Sequence, residues 1–389
     1  ASDRLEQFSK GDSENFESVN KARLNLYAAQ CNCAYWHGVF GGLYLPHLRS
    51  AIYENIIRAE KFMTPELDQV EETLYDYDCD GHDEIIVTTN KLTATIKPSM
   101  GGMMIELDNH EAALNITDTL RRRKEGYHWK LASAKLEGET DNKAGEKTES
   151  IHDLILTKES GLQEILTDDW HLKRCFIDHF LPADVNIEKF ASGHFGDDGD
   201  FVLEPWQYDQ SGKGAMPGLV KLVRSGHIWR NDGVTPLKIE KTFFFGKNAE
   251  TIKINYSLTA SEDILNLRFG VENNFNLLAG HADNRYVLFN GQKPNDAYLD
   301  AVNAKDQVGT VMLKDEWINT VIAVRNDVPS EVWQTPIFTV SLSEGGFEKV
   351  YQGTTILSLY NLNLKKDLPA ELGFMIFTGK AENIPPMFQ

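Results

Sequence analysis

From about residue 70 onward the chain is written in short runs of β-branched and aromatic residues separated by turn residues, and helical spacing almost vanishes after residue 170. Glu84 to Thr89 reads as a strand, Asn90–Lys91 as a turn and Leu92 to Ile96 as the returning strand. Pro98 to Gly102 turns the chain again before Met103 to Leu107. Leu237 to Phe244 and Thr251 to Leu258 form a hairpin pattern around Gly246–Lys247–Asn248, and Val311, Val321 to Val324, Ile337 to Leu342 and Thr355 to Leu359 continue it. Strands joined by tight turns pair antiparallel, and a half-buried sheet must cover one face with another layer. The expected architecture is therefore mainly β: a large antiparallel sandwich over residues 70–389.

Residues 1–65 have a different texture and read as helical. Leu24, Tyr27, Ala28 and Cys31 recur at helical spacing, Gly38, Gly41 and Gly42 interrupt, and a second helix opens at Pro46. Leu45, Leu48, Ile52, Ile56 and Ala59 form its apolar stripe, and Pro65 marks its end. Two segments break the β rhythm. Residues 134–151 are charged and nearly free of apolar side chains, which predicts a mobile surface insertion. Residues 153–167 predict one short helix lying on the sandwich.

With 41% hydrophobic and 10% aromatic residues the chain can bury a large core. A net charge of −19 argues against nucleic acid and against anionic membranes, and leaves neutral partners such as sugars. No run of eighteen apolar residues occurs and no apolar leader opens the chain, so no membrane span or signal peptide is expected. Cys31, Cys33, Cys79 and Cys175 are too few for a disulfide scaffold, and Cys31 and Cys33 point apart if both lie on a helix. Reduced thiols fit a cytoplasmic protein.

Tyr35, Trp36, His37, Phe40 and Tyr44 crowd around the three glycines of residues 29–48. From composition alone these rings read first as core between the helix pair and its neighbour. The second reading is a sugar subsite, because a pyranose packs its C–H face on an aromatic ring while its hydroxyls need directed hydrogen bonds.

The segment AQCNCAYWHGVFGGLYLPHLR resembles the fifth conserved region of glycoside hydrolase family 57, with Cys33 standing where the family usually has an acidic residue. Residues 107–131, 177–181, 269–280 and 343–353 resemble the C-terminal sandwich of the family's 4-α-glucanotransferase and α-amylase branch. The resemblance implies a galactose-mutarotase-like sandwich and a retaining double displacement on α-1,4-glucans or maltooligosaccharides. In that chemistry a Glu attacks the anomeric carbon and an Asp serves as acid and base. Both belong to a catalytic barrel N-terminal to these helices, in the same gene product or a separate subunit. Neither the barrel's regions nor a His-Gln-Pro motif has a counterpart here, so no catalytic residue is assigned and the chain is expected to be inactive alone. The resemblance implies that Trp36 stacks on a glucosyl ring and His37 bonds a hydroxyl, while Gln30 and Asn32 hold backbone.

Residues 76–84, DYDCDGHDE, place Asp76, Asp78 and Asp80 at alternate positions, then Gly81 and Glu84. This spacing fits a short structural Ca2+ loop, with a solvated acidic turn as the bland alternative. Arg121 to Lys124 read as a solvated or ion-paired basic run, and Trp129, Trp170 and Trp206 as core. Asp178 and His179 are a candidate hydrogen-bonded pair. Two other functions stay open: a stand-alone carbohydrate-binding sandwich, and a mutarotase-like epimerase, for which His281 with Glu272 is the pair to test.

Overall fold

The computed structural model describes residues 2, 5–6, 16–38, 40–64, 66–131, 157–212, 216–231 and 233–389. The proposed insertion at 134–151 lies outside them. Helix α1 spans Phe16–Ala29 and helix α2 spans Pro46–Met63, with Pro46 in the first turn of α2 as expected. The buried stripe of α1 differs from the expected one. Val19, Ala22, Leu26 and Ala29 face inward, whereas Leu24 and Tyr27 are 68% and 61% exposed. The helix carries two apolar edges. The one with small residues, Ala22 among them, allows close approach to Ala59 and Met63 of α2. Because α1 ends at Ala29, Cys31 and Cys33 lie beyond it, in extended backbone and a 3-10 turn, and all four cysteines are unbridged.

The rest is one continuous antiparallel sheet that folds over on itself. Its order runs from an edge at Glu71–Tyr75, through Cys175–Phe180, Ile264–Phe275 and Gly346–Leu364, to the far edge at Gln207–Tyr208. Strands remote in that order share one core: the ring of Phe176 lies 5.4 Å from Phe243, and Ile85 and Leu107 bury in the same cluster as Leu222 and Ile254. That closure makes the sheet a sandwich. The expected hairpins form, with Glu84–Thr88 paired to Leu92–Lys97 and Gly233–Phe245 paired to Thr251–Ala260. Val321 to Val324 and Ile337 to Leu342, read as separate strands, are two ends of one strand, Thr320–Ser343. Its first part pairs with Ala370–Gly379 and its second with Gly346–Leu364, so the polar residues between them mark a change of partner rather than a turn.

Residues 157–167 form bends and turns, not the expected helix. Gly161 sits at φ +77°, outside helical backbone, and Leu162 is drawn into a cluster with Leu131, Val340 and Phe347. Tertiary burial of one leucine outweighs a weak local propensity. Trp206 is core as expected; Trp170 is half-buried and Trp129 is 64% exposed.

Candidate functional site

The glycine-rich segment between the helices separates its aromatic rings by direction. Gly42 has φ +51°, and a Cβ there would sit 2.1 Å from the Trp36 carbonyl oxygen, so only glycine lets the chain fold back at this point. Tyr44 is buried and its hydroxyl donates to Glu125, while the Tyr44 carbonyl accepts from Gln352 Nε2 at 2.8 Å. His37 also turns toward the sandwich, stacking 4.8 Å from Tyr127 with Nε2 3.1 Å from the Leu342 carbonyl. Tyr35, Trp36 and Phe40 are instead 59%, 54% and 71% exposed. Arg49 clamps the arrangement: its Nε meets Asp118 at 2.9 Å and its Nη1 donates to the Leu43 carbonyl at 2.6 Å. One motif therefore has an anchored side and an open aromatic side.

The acidic loop closes on a lysine. Lys97 Nζ lies 2.8 Å from Asp78, 2.7 Å from Asp80 and 2.7 Å from Glu84, and its side chain is 3% exposed. The Asp76 carboxylate accepts the backbone N–H groups of Asp80 and Gly81. Lys97 was legible in principle: the register Ile85↔Ile96 places it across from Glu84.

On the sheet face opposite Val271 and the main core, Glu272 is the hub of a buried charge cluster. Its Oε2 accepts from His171 Nε2 at 2.9 Å and His179 Nε2 at 2.8 Å, and its Oε1 from Lys173 at 3.0 Å and Asn274 at 2.8 Å. His179 Nδ1 also reaches Asp197, at 2.8 Å. Despite burial, hydrogen bonds to Asp197 and Glu272 push the His179 imidazole up to about 9. Burial instead pushes His171 down to about 4.

The sequence reading missed His171 and Lys173, and it misplaced two pairs. His281 is exposed, stacked on Tyr298 and bonded to Asp300, not to Glu272. Asp178 pairs with Lys241 at 2.6 Å rather than with His179, because neighbours on a strand face opposite sides of the sheet. A carboxylate that is fully buried and accepts four hydrogen bonds has no lone pair to offer as a base. Glu272 is therefore fully engaged by its own neighbours, and the His281–Glu272 epimerase pair does not form.

The elevated imidazole predicts a pH dependence. A His held protonated in the fold stabilises it fully below pH 6.5, its ordinary value, and that share is lost as pH rises through about 9, on the order of 3 kcal/mol. Melting temperature should fall across this window. Histidine NMR should show one imidazole, facing Asp197, Glu272, His171 and Lys173, still protonated at about pH 8. A full set of neutral rings at that pH would refute the charge assignment.

Comparison with known proteins gives this arrangement its context. Residues 76–374 match the family described as alpha-amylase/4-alpha-glucanotransferase, C-terminal, and residues 2–63 match the corresponding middle domain. The chain belongs to the alpha-amylase/4-alpha-glucanotransferase family. It is 33% identical over 356 residues to Alpha-amylase 1 of Dictyoglomus thermophilum, covering 91% of this chain and 48% of that protein. With the 4-alpha-glucanotransferase of Thermococcus litoralis it shares 33% identity over 340 residues, covering 87% of this chain and 46% of the other. The crystal structure of 4-alpha-glucanotransferase from Thermococcus litoralis superposes with a TM-score of 0.72 at 28% identity, over 97% of this chain and 50% of that one. The chain thus spans about half the length of these curated relatives and corresponds to their C-terminal region.

Two residues of the basic run form ion pairs. Arg122 binds the buried Asp169 at 2.6 Å and Arg123 binds Glu125 at 2.9 Å. Among the described residues, no helix is long and apolar enough to cross a membrane.

Proposed function

We propose that this chain is the non-catalytic C-terminal part of a retaining, α-1,4-glucan-acting enzyme of the glycoside hydrolase family 57 type, working in the cytoplasm with a barrel that carries the Glu and Asp. The outward aromatic face of the helical segment carries this reading. Leu24, Tyr27, Tyr35, Trp36 and Phe40 are all more than half exposed, an apolar surface that a folded chain rarely leaves to water unless another body uses it. The helix edge of Leu24 and Tyr27 docks on the barrel, and Trp36 offers its indole to a glucosyl ring at the cleft margin. His37, on the anchored side, donates Nε2–H to the Leu342 carbonyl and in this reading meets a sugar hydroxyl through Nδ1.

Disproportionation and hydrolysis of maltooligosaccharides should be undetectable with this chain alone. Product formed by the isolated chain would show a catalytic carboxylate pair within it and overturn the proposal. In an enzyme that includes the barrel, Trp36→Ala should raise KM for maltotriose by about tenfold with kcat less affected.

Two cations compete for the Asp76, Asp78, Asp80 and Glu84 carboxylates: a structural Ca2+ and the Lys97 ammonium that sits among three of them. The ammonium is covalently supplied and already satisfies Glu84, which is fully buried. A chelator should therefore leave the melting temperature unchanged, whereas Lys97→Met should make it rise with added calcium. A chelator-induced drop in the parent chain would restore the calcium reading.

A further inference from the structure

A cleft of about 820 Å³ opens on the sandwich, and none of its walls comes from the helical segment. Its size lies within the range of about 300–1,000 Å³ usual for small-molecule sites. Trp229 forms one wall. It stands near the end of the strand Leu219–Arg230, its ring 5.6 Å from His227, and it is 45% exposed. The remaining lining is mixed: Asp184, Asp198, Asn231, Asn266 and two arginines stand beside apolar residues such as Pro182 and Leu267.

The walls are tied together by backbone and guanidinium bonds. Trp229 N–H donates to the Asp198 carbonyl at 2.7 Å, and Leu181 N–H to the Arg268 carbonyl at 2.9 Å. Arg268 Nη1 holds the facing loop through the carbonyls of Pro182, at 2.9 Å, and Val185, at 2.8 Å. Arg230 Nη1 reaches the Leu265 carbonyl at 2.6 Å. These bonds fix the shape before any ligand arrives, which lowers the entropy lost on binding.

We propose that this cleft is a second glucan-binding site, distinct from the helical segment, which stacks one glucosyl unit of an α-1,4-glucan on Trp229 and engages its hydroxyls with the Asp and Asn side chains around it. The proposal rests on the reading of the chain as part of a glucan-acting enzyme. The chemistry selects a neutral polyol. An indole face takes the apolar side of a pyranose, and carboxylate and amide oxygens accept from hydroxyls, which are donors as well as acceptors. Arg230 and Arg268 balance the two lining carboxylates, so the cleft itself is near neutral, and the chain's net charge of −19 disfavours polyanionic ligands. A site of this kind holds a polymeric substrate near the enzyme without touching the scissile bond, raising local concentration by linkage.

The test is affinity electrophoresis of the intact chain in gels containing glycogen, with maltoheptaose titration to measure binding. The parent chain should be retarded, Trp229→Ala should bind about tenfold more weakly, and Trp229→Phe should recover part of the loss. Trp317→Ala, at an exposed indole outside both sites, should keep the retardation. Melting curves should match the parent, since the indole is half in water. No retardation of the parent chain, or full retardation of Trp229→Ala, would overturn the proposal. Retardation lost with Trp36→Ala and kept with Trp229→Ala would place glucan on the helical segment instead, sinking this site while supporting the cleft role of Trp36. Conversely, if the isolated chain proved catalytic, the fragment reading would fail and the Trp229 result would still stand.

Discussion

Glu272→Ala should cost the fold roughly 3–5 kcal/mol, because it leaves Lys173 and the protonated His179 buried without their shared anion. The whole cluster is dry: Glu272 and His179 are fully buried and Lys173 is 3% exposed. A buried ion pair adds little compared with well-packed apolar groups, but removing one member strands the other charge in low dielectric. Thermal melting should register a fall of several degrees for a domain of this size. Glu272→Gln should be nearly as damaging, since the amide keeps the shape and drops the charge. The double variant Glu272→Gln with Lys173→Met should recover part of the loss, because it removes the stranded ammonium too. A single variant that melts within a degree of the parent would mean the cluster is hydrated and the charges are not coupled.

Arg49→Ala should loosen the helical segment while leaving the sandwich folded. The guanidinium is 7% exposed and makes three bonds: Nε and Nη2 to the side chain and carbonyl of Asp118, and Nη1 to the Leu43 carbonyl. It therefore joins α2, the glycine-rich segment and the sandwich at one point. The expected cost is roughly 3–5 kcal/mol, with the stranded Asp118 contributing most of it. Hydrogen exchange should speed up in residues 42–63 and stay slow in strands such as Thr320–Ser343. Arg49→Lys should not rescue it, because an ammonium cannot reproduce the fork that spans Asp118 and Leu43. Unchanged protection in residues 42–63 would show that Gln352, Tyr44 and the apolar contacts hold the segment without Arg49.

Much of the secondary structure was readable from the chain because its signals are local. Pro46 opens α2, alternation sets the hairpins at 84–97 and 233–260, and turn residues set their ends. The glycine and aromatic segment stood out as a pattern because few purposes need so many rings beside residues that lack a Cβ. Errors fell where two local signals were nearly equal. The Leu24–Tyr27 edge of α1 is as apolar as the edge that packs, and only the partner helix chooses between them. The weak helix expected at 153–167 gave way, over its described residues, to burial of Leu162.

The site residues show the same division. Trp36 and the acidic loop stood out as patterns within a dozen residues. Lys97 needed the hairpin register that faces it to Glu84, 13 residues away, and the set of His171, Lys173, His179 and Glu272 did not stand out because the fold brings together residues about a hundred positions apart, as between His171 and Glu272. Periodicity and turn chemistry are properties of neighbouring residues, so the sequence by itself determined the fold class, the helix–sandwich order and the family. Which face is buried, which charge meets which, and whether an aromatic ring points to water or to core depend on contacts made only when the sheet closes. Those choices belonged to the tertiary structure: His37 and Tyr44 inward, Trp36 and Trp229 outward, and Lys97 among the carboxylates of the acidic loop.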